Sequence, residues 1–320
     1  MRVWDSRTIY LSNPQPLKPS NPQSLNLSIS QSLKPSPNVR FWLLLPIVLL
    51  MSACYEAKEG CLEIEATNYD VSADDPCPTC CKYPSISIQV QHNVVLPTMP
   101  DTSFSMKYAT KYQSPFDTNH FFFIDRSRFF ISDLKLVRAS GEEVGVTDSL
   151  WLPLTNGDSI FVENNFSKHD RDIFQAATIG TVKTVGAFSG IKFTLGLQEQ
   201  IVQEVWIDTL AAGHPLAVEN DTLSYDETFG IIPNHLIIRP DTLDDTQPID
   251  FRFNDPKQIS LDFSQPFFVE RGFNIKLVIR LNYMVLFENI DFKNDTPEVM
   301  RAKIDSQLTN AFSVVSIKLE

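Results

Sequence analysis

Phe273-Asn274-Ile275-Lys276-Leu277-Val278-Ile279-Arg280-Leu281-Asn282-Tyr283 decides the fold. Phe273, Ile275, Leu277, Ile279, Leu281 and Tyr283 share one parity, with Asn274, Lys276, Arg280 and Asn282 on the other. Successive side chains along a strand point to opposite faces, so this is a strand with one buried and one wet face. The same period of two returns in Ile86-Ser87-Ile88-Gln89-Val90-Gln91-His92, in Ile191 to Leu197, around Phe251 and Phe253, and in Ile259 to Phe263. Antiparallel sheets with one solvated face give this pattern, and two such sheets make a sandwich. The expected fold is all-β: an antiparallel β-sandwich of Ig-like or Greek-key type over residues 85–320, with one C-terminal helix.

That helix is predicted after Thr296, which can cap it, and Pro297, which suits a first turn. Met300, Ile304, Leu308 and Phe312 follow at four-residue spacing. A last strand from Ser313 to Leu319 should close the chain. Gln198 to Leu210 reads equally as helix or loop. In Arg128-Phe129-Phe130-Ile131-Ser132-Asp133-Leu134-Lys135-Leu136 the apolar parity changes midway. A bulge near Ser132 or Asp133 would return Leu134 and Leu136 to the side of Phe129 and Ile131.

Ahead of this body lies an address. Arg40 precedes the apolar run Phe41 to Met51, and Ser52-Ala53-Cys54 follows. The run is too short for a membrane-spanning helix, which needs about 20 residues, but it fits a secretory signal. Met51-Ser52-Ala53-Cys54 resembles a bacterial lipobox, which makes residues 40–53 a signal peptide and Cys54 the lipidated residue. Residues 1–39 carry a period-eight repeat rich in Ser, Pro, Asn and Gln, with no apolar period for a core. They read as a disordered extension or as sequence ahead of the true start.

All five cysteines lie between 54 and 81. With Cys54 lipidated, Cys61, Cys77, Cys80 and Cys81 remain, an even number in an exported segment, and are expected to form two disulfides. Neighbours Cys80 and Cys81 rarely bond to each other, which favours Cys61 paired with one of the later three. Zinc is the rival, since Cys77-Pro78-Thr79-Cys80 has C-x-x-C spacing. Residues 54–84 thus form a cysteine-rich acidic neck. Gly60-Cys61 through Asn68-Tyr69-Asp70 to Asp74-Asp75 resembles a short cysteine-bounded module that recurs in secreted proteins of the Bacteroidota.

The 27 Lys and Arg against 39 Asp and Glu leave a net charge of −12, which argues against nucleic-acid binding. Nucleotide, serine-hydrolase and zinc-protease motifs do not occur, and no cysteine beyond 81 offers a thiol nucleophile in the body. The expectation is a binding protein, not an enzyme. Of the five histidines, His92 stands out, because parity places it on the apolar face of the first strand, where an imidazole needs a partner or a metal.

Several segments, in order, resemble the MbnP-like copper-binding protein family. They are Ile88 to His92, Phe129 to Leu136, Phe188-Ser189-Gly190-Ile191-Lys192-Phe193-Thr194-Leu195-Gly196, and Leu286 to Asp291 followed by Asn310-Ala311-Phe312-Ser313. The resemblance implies an envelope β-sandwich that binds copper, with His92 as a ligand. The family's Trp-Thr-Trp-like segment is missing at Leu223 to Gly230, and Phe251-Arg252-Phe253 stands where the family often has a His. His214 and His235 are the remaining candidate ligands. The sequence therefore leads to a lipoprotein held at the outer membrane through its lipid, facing the periplasm or the surface. It either handles copper or has kept the fold as a scaffold or ligand-binding protein without the metal; its protein partner is unknown.

Overall fold

The structure, a computed structural model, describes residues 56–96, 99, 101–211, 213–217, 224–226, 228, 230–240 and 246–320. The repeat at 1–39, the signal segment 40–53 and Cys54 lie outside them. The main elements in chain order are β1 (Ser85–Val95), β2 (Ser103–Ser105), β3 (Phe121–Val137), β4 (Ser167–Asp170), β5 (Ala177–Thr181), β6 (Gly186–Leu195), β7 (Asn234–Arg239), β8 (Ile249–Phe253), β9 (Lys257–Val269), β10 (Ile275–Asn282), helix α1 (Pro297–Ala311) and β11 (Phe312–Leu319).

One sheet runs β8-β7-β3-β6-β9, with β4 also on β3. The other runs β5-β1-β10-β11, with β2 on β1. Their inner faces meet in a core that includes Ile88, Val90, Phe129, Ile131, Leu134, Leu136, Phe193, Leu277, Ile279 and Leu281. The sandwich is as expected, but its pairing is not antiparallel throughout. β1 and β10 pair in parallel, Ile86 opposite Ile275 through Asn93 opposite Asn282. The first and the penultimate strands of the sandwich are therefore neighbours, and the second sheet is mixed.

The parity change in β3 is a bulge. Lys192 pairs Lys135 and Thr194 pairs Ser132, so β3 carries one extra residue there. Asp133 takes the left-handed conformation, φ 52°, which Asp tolerates better than most residues. Phe129, Ile131, Leu134 and Leu136 consequently all reach the inter-sheet core.

Phe130, between two inward residues, points the other way. It joins a second cluster with Leu152, Leu154, Phe166, Leu197, Ile201 and Ile207. The hairpin Ser149–Pro153 and Ser159–Glu163, and the Glu199–Glu204 helix with its following 3-10 turn, supply this cover. The expectation of one wet face thus fails for part of the larger sheet, which is covered on both sides.

Thr296 caps α1, its hydroxyl accepting from the Val299 amide at 3.5 Å. Met300 and Ile304 are buried against the inter-sheet core. Between β10 and α1, Tyr283, Phe287 and Phe292 plug the same end of the sandwich, with Phe292 stacked on Phe122 at 4.7 Å between centroids.

Candidate functional site

His92 sits on the inward parity of β1, beside Leu281 of β10, and is buried. Just past β10, Tyr283 turns back, and its hydroxyl shares a 2.7 Å hydrogen bond with His92 Nδ1. The imidazole ring lies 5.9 Å from the Tyr283 ring and 5.6 Å from that of Phe129. Nε2 is buried and has no partner among the described residues. Burial pushes the His92 pKa down to about 4, with the Asp170 carboxylate pulling weakly the other way. The ring is neutral at pH 7.

A second imidazole that the sequence did not single out lies close by. His169 of β4 pairs Phe129 of β3 across the ladder, so both side chains enter the same interior. Its ring is 5.9 Å from that of Phe129. His169 Nε2 shares a 2.8 Å bond with the Ser167 hydroxyl. Burial lowers its pKa to about 3, and the neighbouring His92 adds to this. The alternation Ser167-Lys168-His169 was the only sequence signal for it, too short to separate from a turn.

Around the pair runs a polar chain. Asp170 is buried and accepts from Arg128 Nε at 2.8 Å. Its other oxygen accepts from the Tyr108 hydroxyl at 3.0 Å. Burial first, then the Asp170 charge, raise the Tyr108 pKa above its ordinary value. Burial likewise pushes Tyr283 well up. These groups hold their protons and act as hydrogen-bond donors, not as acids or bases near pH 7.

The other proposed ligands are elsewhere. His235 of β7 lies opposite Arg252 of β8, and its Nε2 is 2.6 Å from Asp250 Oδ1. Arg252 completes that outer-face group by pairing Asp226 at 2.8 Å and Asp250 at 3.3 Å. Its cation is thus spent on carboxylates. His214 lies in the loop after the 3-10 turn, where its Nδ1 accepts from the Leu216 amide at 3.2 Å. Burial lowers its pKa.

Copper favours imidazole and soft sulfur donors gathered at one point. The unpartnered Nε2 of His92 fits such a role. The donor set does not: only His169 lies near it, while His235 pairs Asp250 on the outer face and His214 lies in a loop. Among the described residues no group of three or more His, Cys, Asp or Glu is placed to hold a metal. The same applies to the zinc alternative in the neck. There Cys61 bonds Cys81, while Cys77 and Cys80 remain thiols. Of the two disulfides expected, the described residues contain one; the Cys80 sulfur is instead directed at the Cys77 carbonyl, 2.9 Å away.

No family profile matches the chain, and no curated protein matches it. Among solved structures the chain is similar to one described as MbnP from Methylosinus trichosporium, at 11% identity and a TM-score of 0.34, covering 73% of this chain and 98% of that chain.

Proposed function

We propose that this chain is an exported envelope protein, anchored by lipid on Cys54, that acts by binding and holds no resident copper. The observation that carries the copper half is that the candidate ligands do not gather: only His169 lies near His92, while His235 pairs Asp250 on the outer face and His214 lies in a loop. Two imidazoles are too few donors to make a copper site by themselves. The polar chain around Asp170 offers no exposed nucleophile beside a base, which is why binding is preferred to catalysis. The export half rests on the order of charge, apolar run, small residues and cysteine at Arg40 to Cys54.

A second reading, copper handling, is favoured by one observation: His92 Nε2 has no partner among the described residues. Titration of the purified protein with Cu(I) against a competing chelator separates the two. The proposal expects no stoichiometric tight binding. One tight equivalent that is lost in His92→Ala would establish the copper reading instead. For the anchor, Cys54→Ser should move the protein from the membrane to the soluble fraction, since the two or three acyl chains of a lipoprotein hold far more firmly than one. Unchanged fractionation rules the lipid out.

A further inference from the structure

The neck holds two thiols next to a finished disulfide. Cys77 and Cys80 are half-exposed on the short turn Pro78–Cys80. The Cys80 amide donates to the Cys77 carbonyl at 3.1 Å. A turn closed in this way keeps its end Cα atoms within about 7 Å, the range a disulfide can bridge. Cys81, the next residue, is tied to Cys61, so the backbone carrying the pair is anchored on its far side.

The two sulfurs are not equivalent. The Cys80 thiol donates to the Cys77 carbonyl at 2.9 Å, which holds its proton. Cys77 Sγ instead has the Thr79 hydroxyl at 3.9 Å. The interaction between the two side chains holds the Cys77 pKa below the ordinary thiol value and raises that of Cys80, while the Glu59 carboxylate works against both thiolates. The thiolate is the attacking species in exchange.

We propose that Cys77 and Cys80 are a reversible dithiol–disulfide couple that exchanges with a partner disulfide, Cys77 attacking and Cys80 resolving, while Cys61–Cys81 is the fixed structural bond. The Cys77 thiolate attacks one sulfur of the partner disulfide, forms a mixed disulfide and expels the partner's other sulfur as a thiolate. Cys80 then loses its proton to water and attacks Cys77 Sγ. The Cys77–Cys80 bond forms and the second partner thiolate leaves. Two electrons pass from the dithiol to the partner disulfide, whose two thiolates take up the two protons released. Residues 56–84 carry seven carboxylates against Lys58 and Lys82. Such a surface repels anionic glutathione and favours a protein disulfide with a basic rim.

The full protein, recovered after export, is equilibrated across ratios of reduced to oxidised glutathione, and in parallel with an oxidised C-x-x-C oxidoreductase. Free thiols are alkylated and located by mass spectrometry. Cys77 and Cys80 should interconvert while Cys61–Cys81 stays oxidised, the two midpoints differing at least tenfold in the thiol-to-disulfide ratio. The oxidoreductase should react faster than glutathione. Cys80→Ser should trap a mixed disulfide on Cys77, at least tenfold more than Cys77→Ser traps on Cys80. A single shared midpoint for all four cysteines overturns the proposal. So does equal trapping by the two variants, exchange with neither oxidant, or a bond from Cys77 or Cys80 to Cys61 or Cys81.

Discussion

His92 ties one residue's burial to the acid stability of the whole chain. Its folded pKa of about 4 lies below the ordinary 6.5. Between those values the unfolded chain takes up a proton that the folded chain refuses. The stabilisation is complete above pH 6.5 and is lost as pH falls towards 4, on the order of 3 kcal/mol. The double variant His92→Phe/Tyr283→Phe removes both partners of the 2.7 Å bond without stranding either. Urea melts at pH 7 and pH 4.5 should show a smaller pH-dependent loss in it than in wild type; an equal loss assigns the acid sensitivity to other groups, His169 first. Asp133 offers a backbone test at the same scale. At φ 52°, Asp133→Val should cost about 1–2 kcal/mol and Asp133→Gly less. Both positions were visible in the sequence, His92 through parity and Asp133 through the phase change beside it. The partner of His92 was not, because Tyr283 lies 191 positions away and no local pattern encodes that distance.

At the scale of elements, the strands were legible wherever one face meets the core and the other meets water. Ile86 to His92 and Ile275 to Leu281 needed only alternation. The Phe129-Phe130-Ile131 run is where that logic stops, since three consecutive buried residues belong to two different cores. The cover over Phe130 comes from a hairpin and a short helix whose own sequences are half-polar, so period alone could not announce it. Phe130→Ala should cost about 3–5 kcal/mol, as for an inward phenylalanine. A loss under 1 kcal/mol in denaturant melts means the outer cluster is loosely packed. Gly190 marks another close fit, between β6 and β9. A Cβ there would lie 2.6 Å from the Leu261 carbonyl oxygen. Gly190→Ala should therefore destabilise by about 1–3 kcal/mol, measured in the same way. The helix end was the easiest element to read, because Thr296 and Pro297 each act within one turn.

At the scale of the molecule, fold class followed from the sequence but the assembly of a metal site did not. Parity singles out His92 alone, and whether another imidazole meets it depends on register between distant strands. His235 proved to share a face with Arg252 and Asp250, not with His92. The neck belongs to the same unit as the sandwich, Ala57–Glu320; Lys183 lies over the Tyr83 ring at 3.6 Å and pairs Glu63 at 3.5 Å. These contacts are partly exposed. Reduction of Cys61–Cys81 should leave the main cooperative melt of the strands in place, followed by near-UV circular dichroism, and its disappearance would make the neck part of the core.

The parallel pairing of β1 with β10 joins segments about 190 residues apart, Ile86 to Ile275. Contacts so distant in sequence close late and slowly. The central ladder of the second sheet stays incomplete until residue 282 has emerged from whatever machinery makes or moves the chain. A polypeptide with this wiring has no finished shape until its last strands are made, and must remain soluble and unaggregated until then. A fragment ending at residue 270 should accordingly show no cooperative unfolding transition. Under the export proposed above, late closure would keep the chain threadable through a narrow pore for as long as its last strands are still to come.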